Sequence, residues 1–327
     1  MGKKRPTAFV FGEVLCDLYA AELQAGLAGS RHLVPHLGGA PANVAVQLAR
    51  LGGRVELLSA VGHDPLSERL LAALAEAGVG TRHVRRKAGH RVGLTLVEVD
   101  ERAERQFHPW RDGAADQVYG VDDLPRSALA TAALLHRGTV SLRSPRSRQA
   151  TAAAVQDAKT AGAVLTLDVN LRPRMFPSLE RLLQRARASL KTAHVVKATV
   201  EEARALVGSG EAGELARALL RRGPGLVLLT AGAEGALLAT RHREVWVDAP
   251  RVKAVDATGA GDAFMGAALM VLLVAKVTPK TVGALEAHDL EALGWAACHA
   301  GAKATTKLGA TTGMVCRLPG NMLERTR

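Results

Sequence analysis

One rhythm limits what this chain can fold into: short apolar runs alternate with stretches of helical period along most of its length. "TAFVF" at 7–11 has the length and composition of a buried strand. "APANVAVQLARLGG" at 40–53 sets Val44, Leu48 and Leu51 on one helical face, with Gly52 or Gly53 as its stop. "RVELLSAVG" is a strand again. In "HDPLSERLLAALAEAG", Asp64 caps a helix, Pro65 suits its first position and Gly78 ends it. The order repeats through "AALLHRGTV", a helix over 146–160, "AVLTLDVN", a helix over 178–190, "HVVKA" and a helix over 200–207. Alternation of this kind specifies an α/β fold: a doubly wound, mostly parallel sheet flanked by helices.

Two segments break the rhythm. Residues 92–110 read as a hairpin turning near Asp100 to Ala103, and 14–37 lacks a helical period. Extra strands outside the sheet suit a small β lid, at about 14–37 and 92–112, over the carboxyl edge where open α/β sheets bind ligands. With no repeat, linker or low-complexity tract, residues 1–327 are expected to form a single domain.

"DATGAGDAF" at 256–264 carries the chemistry. It places Asp262 after Gly259, Ala260 and Gly261 and before a thirteen-residue apolar run, 263–275. A membrane span needs roughly 20 such residues, so the run is expected to be a buried helix and no membrane role follows. Asp262 could simply cap that helix. Small residues before it, however, let backbone N–H groups converge on an anion at the helix start. An anion nest beside an acid points to phosphoryl transfer. Neither a GxxxxGK[ST] loop nor the HRD and DFG stretches of protein kinases are present.

Charge and cysteines narrow the setting. A net charge of +12 invites a nucleic-acid partner, but the arginines are scattered and aromatic residues make up 3% of the chain, so few stacking platforms exist. A basic surface that favours nucleotide ligands is the expectation, with no specific nucleic acid. Cys16, Cys298 and Cys316 are odd in number and show no metal spacing, as expected of a reduced cytoplasm. Gly12 and Glu13 interrupt the first apolar stretch, which speaks against secretion, and Pro6 against myristoylation. His32 and His36 have a metal-like spacing broken by Pro35 and read as surface residues.

Two stretches together resemble the PfkB family of ribokinase-like carbohydrate kinases: "GGAPANVAVQLARLGG" at 38–53 and "DATGAGDAFMGA" at 256–267. "FGEVLCDL", "FHPWRDGAAD", "DVNLRPRMF" and "VVKATVEEARAL" are most similar to bacterial fructokinases, while 2-keto-3-deoxygluconate kinases share much of the pattern.

The resemblance implies ATP and magnesium as cofactors, a sugar hydroxyl as acceptor and a homodimer joined through the lids. It makes Asp262 the base, Gly259, Ala260 and Gly261 the anion hole, and Arg172 a contact of the transferred phosphoryl group. Asp17, Gly39 and Asn43 match sugar positions, and Arg111 could reach the sugar from the lid or be a solvated charge. Lys197, Thr199, Thr230, Gly232 and Gly235 fall to the nucleotide, and Glu202 to magnesium through water. Thr199 and Glu202 also spell a capping box. Asp256 and Thr258, with Gly309, match a monovalent-cation loop; Lys307 and "GATTGM" depart from the usual pattern there, so a potassium site stays open. A sugar- or nucleotide-binding protein without catalysis would share the fold, but the intact Gly-Ala-Gly-Asp, Arg172 and Lys197 favour an enzyme.

Overall fold

Strand β1, Thr7–Phe11, sits where the main sheet changes direction, in a computed structural model that describes residues 6–22, 26–99 and 105–318. The turn expected at Asp100–Ala103 lies outside the described residues. Along the chain come β2 (Leu15–Ala20), a one-turn α1 (Gly26–Gly29), β3 (Leu33–Gly38), α2 (Ala40–Arg50), β4 (Arg54–Val61), α3 (Pro65–Glu76) and β5 (Val84–Arg86). Then follow β6 (Gly93–Val99), β7 (Arg105–Trp110), a one-turn α4 (Arg126–Leu129), β8 (Ala132–Arg137), α5 (Pro145–Thr160), β9 (Val164–Asp168) and α6 (Leu179–Leu190). The last elements are β10 (Val195–Thr199), α7 (Val200–Val207), α8 (Ala212–Leu220), β11 (Leu226–Thr230), β12 (Gly235–Ala239), β13 (Glu244–Asp248), α9 (Ala260–Val274) and α10 (Ala287–Ala304).

The nine-stranded sheet runs β13-β12-β11-β10-β9-β8-β1-β4-β5. In that sheet β11, β10, β9, β8, β1, β4 and β5 are parallel, and β12 and β13 add an antiparallel edge. Chain order runs outward in opposite directions from the β1–β8 junction, the kind of switch point at which such sheets open a crevice. One face buries Leu57, Leu226, Leu228 and Leu238 against α2, α9 and α10. The other sets Leu167, Val196 and Leu229 against α6, α7 and α8, and Phe9, Leu135 and Leu165 against α5. Helix α9 is apolar nearly all round because it lies inside, with Ala263 through Leu269 buried.

A second sheet of four strands, in the order β3-β2-β6-β7, stands apart from the first. Strands β2 and β6 pair in parallel, each with an antiparallel neighbour on its outer side. His36 lies on β3 and is half-buried against the Tyr19 ring, centroids 4.9 Å apart. It is therefore not the surface residue its sequence context suggests, because strand pairing turns it toward Tyr19 rather than outward.

Candidate active site

The exits of β1, β8, β9 and β10 meet the start of α9 around one cavity of about 610 Å³. Asp262 lines it, but not as a cap. Helix α9 begins at Ala260, with Gly259 at the cap position in a left-handed conformation, φ 81°. A Cβ on Gly259 would also stand 2.2 Å from Ala310 O, so only glycine suits this corner. Asp262 falls inside the first turn, and Asn43 of α2 donates from Nδ2 to its Oδ2 at 2.8 Å.

The contact depends on how closely two helices approach. A Cβ on Gly266 would meet Gln47 Cβ at 2.6 Å and Val44 O at 2.9 Å, so its bare backbone lets α2 and α9 close on each other. Burial raises the proton affinity of Asp262, against the opposing pull of Asn43, Lys197 and Arg172.

The first turn of α9 leaves donors to spare. Ala260 N–H bonds to Ala257 O, and the first helical bond runs from Ala263 N–H to Gly259 O. The N–H groups of Gly261 and Asp262 therefore have no carbonyl partner and suit an anion. A Cβ on Gly261 would lie 2.8 Å from Lys197 Nζ, so the missing side chain admits the ammonium to the same place.

Lys197 is buried and contacts both carboxylate oxygens of Asp168 at 3.1 Å, directly across the β9–β10 register. Burial would depress Lys197, but Asp168, Glu202 and Asp262 more than reverse this; burial pushes Asp168 upward. The geometry favours a charged pair. Glu202 forms a reciprocal cap with Thr199: its Oε2 accepts Thr199 N–H at 2.9 Å, and Thr199 Oγ1 accepts Glu202 N–H at 3.1 Å. Its Oε1 accepts Leu171 N–H at 2.6 Å, which ties the β9 exit to that of β10. Arg172 is exposed on the cavity wall, with one bond to Leu171 O at 3.2 Å.

The small sheet supplies the opposite wall with Leu15, Asp17, Thr95 and Phe107. Asp17 faces Thr95 across the β2–β6 register. Burial pushes the Asp17 carboxyl up to about 7, while the Thr95 hydroxyl that bonds it, Arg172 and Arg111 pull it back. Gly39 needs its positive φ, 95°, and a Cβ there would stand 2.5 Å from Glu13 O. Asn43 Oδ1 is buried without a partner on the cavity side of α2.

Several residues named from sequence lie elsewhere. Arg111 is neither solvated nor on the cavity wall: it is buried, ion-paired with Asp116, and bonded to Met175 Sδ at 3.5 Å. Thr230, Gly232 and Gly235 form the β11–β12 turn and do not line the cavity. A Cβ on Gly235 would stand 2.1 Å from Val247 O and its φ is 129°, so strand packing and backbone conformation both demand that glycine. Asp256 accepts Thr258 N–H at 2.8 Å and Gly309 N–H at 2.7 Å, joining the stretch before α9 to the loop after α10.

Glu13, Thr95, Asp168 and Asn170 belong to the site but carried little signal. Glu13, Asp168 and Asn170 stand at strand exits, the one hint available. Asn170 holds φ 35°, a left-handed conformation that asparagine tolerates better than most residues. A second cleft of about 600 Å³, walled by Arg217, Arg221 and Arg241, lies at the opposite edge of the sheet and includes none of these residues.

An acid, free helix-start amides and a buried lysine around one sugar-sized cavity define a carbohydrate kinase of the ribokinase-like class. Residues 6–315 match the pfkB family of carbohydrate kinases, and the chain belongs to that family. It is 36% identical over 302 residues to a probable fructokinase-4 of Arabidopsis thaliana, covering 92% of this chain and 91% of that one. Its structure resembles a fructokinase with bound ATP from Xylella fastidiosa, with a TM-score of 0.85, 30% identity and coverage of 98% and 97%. A fructokinase from Vibrio cholerae with fructose, ADP and calcium bound is similar too, at TM-score 0.82 and 29% identity, over 99% of this chain and all of that one.

Proposed function

We propose that this sugar kinase transfers the γ-phosphoryl group of ATP to a primary hydroxyl of fructose. The relatives named fructokinase support the acceptor, and a bacterial neighbour bound to ATP supports the donor. The observation that carries the reading is Asp262 held by Asn43 at 2.8 Å beside the free amides of α9.

Asn43 occupies Oδ2, which leaves Oδ1 of Asp262 to take the proton of the attacking hydroxyl. The sugar oxygen bonds to the γ-phosphorus, the bond from that phosphorus to the bridging oxygen breaks, and ADP leaves. The amides of Gly261 and Asp262, at the end of the Gly259–Ala260–Gly261 turn, stabilise charge on the transferring group, and Arg172 approaches it from the open side. Asp17, Gly39 and Asn43 hold the sugar, while Lys197 and Thr199 meet the nucleotide phosphates. The adenine is assigned to the turn of Thr230, Gly232 and Gly235 on family likeness.

Glu202 fits magnesium through water only, since both its oxygens already accept backbone N–H groups. Among the described residues no group of three or more His, Cys, Asp or Glu could hold a metal ion directly. Magnesium, when bound, neutralises charge on the nucleotide phosphates. Thr258 Oγ1, buried without a hydrogen-bond partner beside Asp256, fits a potassium ion in that loop. The small sheet is read as a lid and as the homodimer contact, because its outer strands expose Leu33, Val34, Phe107 and Trp110. The cytoplasm is the compartment proposed.

Replacing Asp262 with Asn tests the mechanism. Turnover is expected to fall by about 10²–10⁴-fold, with ATP affinity and melting temperature near those of the parent. A folded variant that binds ATP and turns over fructose within a few-fold of the parent would sink it.

A further inference from the structure

The cleft of about 600 Å³ at the far edge of the main sheet lies between the end of α8 and the turn that joins β12 to β13. That volume falls in the range of small-ligand sites. Its wall carries Arg217, Arg221, Arg241, His242 and Arg243 against one acid, Glu244. Glu244 is already engaged by Arg217 at 2.6 Å, and Arg243 is paired with Glu286 at 3.1 Å. Arg221 and Arg241, both exposed, have no ion pair among the described residues. Two ion pairs therefore frame the cleft and leave it two guanidinium groups to spare.

Local structure accounts for only part of this charge. Arg217 and Arg221 stand at the carboxyl end of α8, where cations complement the helix dipole. Arg241 stands on a hairpin turn, where no helix end accounts for it. The turn is fixed: the hydroxyl of buried Thr240 accepts the N–H groups of His242 and Arg243 at 3.3 and 3.1 Å, and Thr240 N–H bonds to Arg243 O at 2.9 Å. A set backbone thus brings Arg241 into the cleft that Arg221 enters from the helix.

We infer that this cleft binds a small polyanion with adjacent phosphates, at a site separate from the one where phosphoryl transfer takes place. A guanidinium group holds phosphate oxygens through paired N–H bonds, and two such groups serve two phosphates. Among the described residues no Phe, Tyr or Trp lines the cleft, so a nucleobase gains no broad stacking surface and the phosphates carry recognition. A free polyphosphate and the triphosphate of a nucleotide share that chemistry, and the test separates them.

Calorimetry with tripolyphosphate, and separately with a non-hydrolysable ATP analogue, compares the parent with an Arg221→Gln/Arg241→Gln double variant. The parent is expected to bind one more equivalent of tripolyphosphate than the variant, and the two proteins to bind the analogue alike. Loss of an analogue equivalent in the variant would make a nucleotide the ligand and still support the site. Equal numbers of equivalents in both proteins, for both probes, overturn it. Both positions are exposed and outside the active site, so melting temperature and turnover should stay near those of the parent. If the double variant does not fold, Arg241→Gln alone decides: it should weaken one tripolyphosphate equivalent by roughly tenfold, and unchanged affinity defeats the proposal.

Discussion

The α2–α9 junction and the small sheet build opposite walls of one cavity by different means. At the junction two buried helices touch through Gly266, and the acid is fixed by a neighbour's amide at 2.8 Å. The small sheet presents Asp17 and Thr95 inward while its outer strands leave Trp110 64% exposed. Reacting groups need placement, which dense packing supplies. The exposed Leu33, Val34 and Trp110 on the outer strands suit the lid proposed above, which would part to admit the sugar at lower cost than the packed helix junction.

The contrast can be broken first at the acid. Because burial raises Asp262, kcat should fall tenfold per pH unit on the acid side, beginning above the ordinary aspartate range of about 4. The sign follows from the base acting only when ionised. A rate that stays flat down to that range removes the effect of burial. Asp17 and Glu13, both raised by burial to about 7, should appear in the KM for sugar rather than in kcat.

Next comes Gly266→Leu, which forces α2 from α9. It should cost about 1–3 kcal/mol of stability, read from denaturant midpoints. Turnover should fall by roughly 10²-fold through a displacement of the order of 1 Å. Full activity in a folded variant would show that Asp262 does not depend on the helix contact.

Smaller effects belong to the sheet. Thr95→Ala removes the hydroxyl that bonds Asp17 and should raise the KM for sugar about tenfold, since hydrogen bonds to charged groups contribute about 1.5–3 kcal/mol. The KM for ATP should not follow; if both move together, the sheet is not a sugar wall alone. Smallest is Trp110→Ser, expected to change stability within about 0.5 kcal/mol while weakening self-association measurably by analytical ultracentrifugation. A monomeric parent would remove the dimer contact.

Period and punctuation made the α/β order readable, because buried parallel strands carry long apolar runs and the capping residues stand at helix starts, as Asp64 does by accepting Ser67 N–H. The Gly-Ala-Gly-Asp stretch was legible as an anion nest for the same local reason. Asp262 as a cap was a local reading that tertiary structure overrode: its partner, Asn43, comes from a helix more than two hundred residues earlier. Arg111 was misplaced because a chain shows the charge of a residue but not its Asp116 neighbour in space. Thr95 and Phe107 look like any strand residues until the small sheet folds over the cavity.

One small contact joins the two ends of the site. Nδ1 of His36, on the small sheet, stands 2.9 Å from where a Cβ on Gly309 would be, and Gly309 N–H is bonded to Asp256. A sugar that shifted this sheet would disturb the loop beside Asp256, and a ligand that ordered that loop would press back on the sheet. Thermodynamic reciprocity then applies: whatever factor one ligand adds to the other's affinity is returned in equal measure. Coupled in this way, sugar and ATP would each tighten the other's binding by one shared factor, which titrations of each ligand in the presence and absence of the other check.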